Sequence, residues 1–387
     1  MPVKTWTVVD PQQNSIKDFS ITAADFGRAT DGYHVTRKKL HGGLSDAVEA
    51  LHIDNGTFAF TLLPTRGMGI WKAWLGKDEI GWQSPVRGPV HPQYVNLGEP
   101  SGLGWLDGFD ELLVRCGLES NGAPEFDAET GRLKHPLHGR IANKPAHRCD
   151  VSIDSETGEI KVVGVVEETR FHFTKLRLTT TITTKIGQRG VTIRDEIENF
   201  SASPATAQML YHINFGLPLL DGGSRVIAPV KQVVPRNPHA ASGLKAWDSY
   251  SAELAGCEEQ VYFLELLGDS AHATQVLLKN AHGTRGISLH FNTQQLPCFS
   301  LWKNTTAGAD GYVTGLEPGT NFPNPRSFET KHDRVLKLAP GGKVTLDLTL
   351  EAHGNGEQIT AAEQAISQLQ GTVKPVIHGQ PLPDWCA

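Results

Sequence analysis

The sequence predicts a large, mainly antiparallel β protein, a sandwich or barrel rather than alternating βαβ units. Three observations carry that expectation. Segments rich in Val, Ile and Thr recur along most of the chain, 40 glycines and 23 prolines are spread among them, and helical periodicity is scarce. Residues 20–26 read as a short helix. Residues 57–64 form the first apolar strand pattern, followed by 160–167, 176–186, 191–197, 206–215, 274–280 and 286–292. The cleanest is 343–351, where Val344, Leu346, Leu348 and Leu350 alternate with Thr345, Asp347 and Thr349. A period of two marks a half-buried strand. Ile359, Ala362, Ile366 and Leu369 then share one helical face, and Gly371 is placed to end that helix. Residues 84–143 differ in texture: Gly, Pro, His and Trp dominate without periodicity. So long an irregular stretch is expected to be a functional loop region.

Charge and composition exclude several classes. The chain has 387 residues, with 36 Lys and Arg against 42 Asp and Glu, a formal charge of −6. No basic stripe suits a nucleic acid, and no polybasic segment suits an anionic membrane surface. No apolar run approaches the ~20 residues of a membrane-spanning helix. The opening MPVKTWTVVDPQQNS lacks an apolar leader core, so a cytoplasmic protein is expected. Cys116, Cys149, Cys257, Cys298 and Cys386 are scattered without a CxxC pair and read mostly as buried thiols. GxGxxG, GxxxxGK[ST] and GxSxG patterns are absent, which removes support for nucleotide binding and for an α/β-hydrolase. His135 and His138 stand three apart, but nothing nearby supplies third and fourth metal ligands.

Four segments concentrate polar groups amid apolar sequence. LPTRGMGI carries Arg66, and PLHGRIANKPAH carries His138, Arg140 and Asn143. MLYHINFG places His212 and Asn214 on one face of a strand. The segment from CFSLWKN to GYVTGLEPGTNFPNP carries Trp302, Lys303 and Glu317, the last expected at a sheet margin before a Pro/Gly turn. Each has a bland explanation alone: a core histidine, a paired arginine, a packing tryptophan, a capping glutamate. Together they supply an imidazole and a carboxylate as acid and base, donors for hydroxyl pairs, and an aromatic platform for sugar C–H faces. That set suits sugar chemistry.

At these residues the chain resembles the galactose mutarotase-like superfamily, in its branch of uncharacterised aldose 1-epimerase-type proteins. NFSASPATAQMLYHINFG resembles the strand pair that carries the family's general acid, here His212. GLEPGTNFPNP followed by KLAPGGKVTLDLTLE resembles the closing segment that carries the general base, here Glu317. Leu137-His138-Gly139 matches the turn with the second active-site histidine. The family's Pro-Gly-Glu reads Pro340-Gly341-Gly342, and Gly139-Arg140-Ile141-Ala142-Asn143 follows the Leu-His-Gly turn instead of preceding it. The substrate-binding arginine is therefore Arg66 or Arg140. The family's hydroxyl-binding Asp has no clear counterpart, with Asp221 and the region around Arg236 as candidates.

The resemblance covers about residues 50–353. It implies one supersandwich domain over 1–387, with an N-terminal extension, a C-terminal helix and tail, and a site on a concave sheet face. It implies an aldose 1-epimerase in which Glu317 deprotonates the anomeric hydroxyl while His212, as imidazolium, protonates the ring oxygen. His138 and one of Arg66 and Arg140 would steady the ring-oxygen side, and Asn214, Trp302 and Lys303 would line the sugar site. No metal or redox cofactor is needed; the partner is a small sugar, and a homodimer stays open. The expected rate is bell-shaped, limited by protonated Glu317 in acid and neutral His212 in base. Two other classes remain: a non-catalytic sugar sensor, or a lyase or isomerase of an acidic or phosphorylated sugar. Arg66, Arg140 and Lys303 would suit the latter, while Arg87 and Arg115 read as surface loop residues.

Overall fold

Strict alternation over long segments builds two sheets and leaves one face of each for the core. The computed structural model describes residues 3–13, 16–26 and 32–387. Among the described residues, a nine-stranded sheet runs in the order Val3–Val9, Arg148–Asp154, Glu159–Thr169, Lys175–Lys185, Gly190–Asn199, Lys343–His353, Gly286–Asn292, Ala273–Lys279, Arg225–Ile227. A fourteen-stranded sheet packs against it and places Leu113–Leu118, Ala205–Gly216, Val313–Gly319 and Cys298–Asn304 side by side. Among the described residues, strand pairing is antiparallel except where Val376–Ile377 joins Val230–Pro235 in parallel, and one isolated parallel bridge links Gly117 to Gly139. No helix among the described residues is long and apolar enough to cross a membrane.

The expected strands form, each within a residue or two of its boundary, as does the helix Gly356–Gln370. Asn355 caps that helix through the Gln358 amide, and Ile359, Ala362 and Ile366 pack on Leu277. Two readings need correction. Residues 20–26 are not one helix but the strand Phe19–Thr22 followed by a single 3-10 turn, Ala23–Phe26. The 84–143 region is not all loop: Leu113–Leu118 is a central strand of the larger sheet. Both of its faces are buried, so LVRCGL shows no wet–dry alternation, and Arg115 interrupts its apolar residues.

Ala205–Gly216 is likewise covered twice. Met209, Tyr211, Ile213 and Phe215 join the core between the sheets. Leu210 packs on the opposite face with Trp82, Trp105, Phe109, Val114 and Cys116. The 84–143 region thus folds over the outer face of the larger sheet. Arg66 ties it there. Its guanidinium pairs with buried Glu111 and donates to the carbonyls of Val90 (3.0 Å) and Gly108 (2.9 Å) and to Asn143 Oδ1 (2.9 Å).

Arg115 crosses the core instead of lying on the surface. Its side chain meets Asp195 of the facing sheet through two contacts, Nε–Oδ2 at 2.6 Å and Nη2–Oδ1 at 3.1 Å. Thr180 Oγ1 (2.7 Å) and the Met68 carbonyl (2.7 Å) accept its remaining donors, and Tyr211 Oη donates to Asp195 at 2.9 Å. Removing one member strands the other charge in a dry interior, which typically costs about 3–5 kcal/mol. Arg115→Met is therefore expected to lower the unfolding free energy, measured by chemical denaturation, by that amount. An unfolding free energy within about 1 kcal/mol of wild type would show the pair to be dispensable.

Candidate functional site

Period-two geometry decides which side chains reach the outer face. On Ala205–Gly216 it presents Leu210, His212 and Asn214, and on Val313–Gly319 it presents Val313, Gly315 and Glu317. The strand continues through Pro318 and Gly319, so Glu317 lies inside the sheet and not at its margin. His212 and Glu317 converge: Nε2 lies 3.2 Å from Oε1, and both side chains are almost fully buried. The glycine between them is required for space. A Cβ at Gly315 would collide with Glu317 Oε1 and crowd His212 Cε1.

The pair forms the floor of a cavity of about 470 Å³. Its walls are mainly apolar and aromatic, with Trp82, Trp105, Phe109 and Trp302 from three segments. The rings of Trp105, Phe109, Trp302 and His138 lie 5.9, 5.2, 5.4 and 5.3 Å from that of His212. Arg236, Glu259 and Asp310 add charged groups. Glu259 accepts from Arg236 (2.7 Å) and from Trp302 Nε1 (2.7 Å), which fixes the tryptophan's orientation.

Hydrogen bonds set the histidine tautomers. Asn214 Nδ2 donates to the carbonyls of Glu111 (3.0 Å) and His212 (3.2 Å), so Oδ1 faces the ring. His212 Nδ1–H donates to that oxygen at 2.6 Å, which turns Nε2 toward Glu317. Burial, then the neighbouring His138, holds the His212 pKa well below its usual value. Burial pushes Glu317 up to about 8, with Glu259 raising it further and Arg236 opposing. Oε1 of Glu317 has no aligned hydrogen-bond partner despite its closeness to His212. These shifts favour a neutral imidazole beside a protonated carboxyl, leaving one proton to pass between His212 Nε2 and Glu317.

The other anticipated residues divide sharply. His138 and Trp302 line the cavity. Asn214 serves His212 from beneath. Arg66 is spent holding the covering region, and Arg140 sits half-exposed at the start of the Ile141–Asn143 turn, outside the lining. Lys303 points the other way, between the sheets, where Nζ donates to the carbonyls of Ala246 and Ser249 at 2.7 Å each. Adjacent strand residues face opposite sides, so Trp302 and Lys303 cannot share a pocket. Asp221 is bonded to Ser224 away from the cavity, and Arg87 is exposed. Cavity residues that sequence reasoning missed include Trp82, Glu259 and Asp310.

The sequence matches a family described as a domain of unknown function, DUF4432, over residues 45–352. The chain belongs to the DUF4432 family. A putative aldose 1-epimerase from Klebsiella pneumoniae subsp. pneumoniae MGH 78578 is 35% identical, with 98% of this chain and 99% of that one covered at a TM-score of 0.94. Two further solved structures share the fold at low identity. A galactose mutarotase-like protein from Clostridium acetobutylicum is 12% identical, with 83% and 98% of the chains covered and a TM-score of 0.57. A galactose 1-epimerase from Lactobacillus acidophilus NCFM is 14% identical, with 83% and 99% covered and a TM-score of 0.56. No curated protein matches the sequence.

The raised Glu317 pKa in this DUF4432 protein has a measurable consequence. Between the ordinary carboxylate value of 4.5 and about 8, the native state holds a proton that the unfolded chain releases. Native stability attributable to Glu317 therefore falls as pH rises through that window. Glu317→Gln removes the titration, so its melting temperature should gain on wild type between about pH 5 and pH 8. A pH-independent difference would overturn the protonated assignment.

Proposed function

We propose that this DUF4432 protein is an aldose 1-epimerase in which His212 and Glu317 exchange protons with the two oxygens bound to the anomeric carbon. The observation that carries the reading is the 3.2 Å approach of His212 Nε2 and Glu317 Oε1 at the floor of a cavity with largely aromatic walls. The anomeric hydroxyl and the ring oxygen share one carbon. An acid and a base serving both must therefore stand side by side, as these two do. Burial leaves the pair with a single proton, resting on Glu317. Its transfer to His212 gives the imidazolium and carboxylate that act as acid and base. Glu317 takes the hydroxyl proton, His212 delivers one to the ring oxygen, and the C1–O5 bond opens to the aldehyde. Rotation about C1–C2 and closure on the other carbonyl face return both protons.

The charges of the cavity favour an uncharged sugar. Its one lining cation, Arg236, is already paired with Glu259, and Asp310 adds a further carboxylate. Arg66, Arg140 and Lys303, which would have suited an acidic or phosphorylated sugar, lie outside the lining. A pure binding module would have no use for a buried acid–base pair with an unpartnered carboxyl oxygen.

The test is anomer exchange by NMR across neutral, phosphorylated and acidic aldoses. Glu317→Gln and His212→Asn should each lower the rate on the active sugar by about 10²-fold or more. Exchange unchanged in either variant would remove that residue from the chemistry. The pH profile of kcat/KM should be bell-shaped. Its alkaline limb, at about 8, reports loss of the shared proton from Glu317, and its acid limb, below 6.5, reports a second proton arriving on His212. This reverses the assignment of the two limbs drawn from the sequence, because burial of both groups moves their pKa values past each other.

A further inference from the structure

His138 is held by an arrangement that reaches across the whole site. Its backbone sits in the left-handed region, at φ 56°, with Gly139 following at φ 74°. The ring's Nδ1 lies 3.0 Å from the backbone oxygen of Asn121, which can only accept, so the proton resides on Nδ1. Burial carries the imidazole down to about 4, so the ring is neutral at physiological pH. Nε2 has no protein partner among the described residues, and the side chain lines the cavity.

Asn121 is itself clamped. Its Nδ2 donates to Asn321 Oδ1 at 2.9 Å, and Asn321 Nδ2 donates back to Asn121 Oδ1 at 2.8 Å. Both side chains are fully buried, and the residues are 200 positions apart. The Phe322 carbonyl takes a further Asn321 donor, while Thr320 Oγ1 donates to Asn321 Oδ1. Gln208 Oε1 accepts from the Asn121 backbone amide. Asn321 follows the strand of Glu317, and Gln208 lies on the strand of His212, four residues away in each case.

We propose that the Asn121–Asn321 amide pair is a positioning element that locks His138 as its Nδ1–H tautomer, so that Nε2 meets the sugar as a hydrogen-bond acceptor. The partner is then a donor, a sugar hydroxyl and not the ring oxygen, which has no proton to give. The reciprocal amides set the position of that hydroxyl relative to the His212–Glu317 floor. The inference rests on the epimerase reading for the identity of the ligand, but the tautomer and the clamp do not.

Long-range ¹H–¹⁵N NMR of the imidazole nitrogens tests it on the full chain, with His138→Gln to assign the resonances. Wild type should show His138 as the neutral Nδ1–H form near pH 7. Asn321→Asp keeps the shape but removes the N–H donors, and Asn321→Ala removes the pair. Either should shift the ring toward mixed tautomers and raise KM for anomer exchange about five- to tenfold, with kcat within about twofold. A wild-type Nε2–H tautomer or imidazolium would overturn the proposal. So would a folded Asn321 variant with tautomer and KM unchanged. Absence of exchange in wild type would count against the epimerase reading instead, and the tautomer spectra would still decide the clamp.

Discussion

The buried Arg115–Asp195 pair fixes the frame on which the cavity stands. Arg115 lies opposite Tyr211, and its neighbour Val114 lies opposite His212. The inward charge and the outward imidazole are therefore consecutive consequences of one register. A one-residue slip of Leu113–Leu118 would drive Arg115 onto the cavity face, and one of Ala205–Gly216 would turn His212 into the core between the sheets. An ion pair desolvated on every side is a poor source of stability but a strict selector of geometry, since any other register leaves its donors unmet. Here Met68, Thr180, Tyr211 and Asp195 satisfy the network only when both sheets are in place.

Arg66 does for the outer face what Arg115 does for the inner. The strands alone would leave Leu210, His212 and Glu317 open to water. Carbonyls from Val90 and Gly108, the Glu111 carboxylate and the Asn143 amide all converge on one guanidinium, which pins an irregular segment of some fifty residues against the sheet. Trp105 and Phe109 come with it. The aromatic enclosure of the floor thus depends on an arginine that never reaches the cavity, which is why a residue-type argument mistook it for a sugar ligand.

Much of this was legible where one face of a strand is wet. Lys343–His353 and Lys175–Lys185 alternate cleanly and were readable in full. Strands buried on both faces were harder, and Leu113–Leu118 was missed for that reason. The pairing of His212 with Asn214 followed from parity, and the same rule, applied to Trp302 and Lys303, would have separated them. Arg236 and Glu259 gave little signal. They stand beside the ends of Val230–Pro235 and Gln260–Leu266, and only the pairing of Pro235 with Tyr262 brings them together. Element type is misread only at residues 20–26 and at Leu113–Leu118; at the site, side-chain direction within buried strands is what sequence leaves open.

The aromatic wall and the chemistry of the floor are one design when considered as electrostatics. Surrounding His212 with Trp105, Phe109 and Trp302 makes either charge costly, which favours the proton on the carboxyl and a neutral imidazole. In the proposed reaction, a sugar brings hydroxyl dipoles to just this place. Those dipoles stabilise the imidazolium–carboxylate form more than the neutral one, and the proton crosses the 3.2 Å gap when there is a substrate to use it. Glu259 and Arg236 act on Glu317 in opposite senses from the rim, so the rim adds little, and it is burial that favours the neutral form until binding supplies dipoles. A fully solvated pair would be a carboxylate beside a mostly neutral imidazole at pH 7, with no proton to share, and a pair with its own salt-bridge partners would be locked. Burial without a fixed counter-charge is the condition that lets one proton serve as the acid in either direction of ring opening.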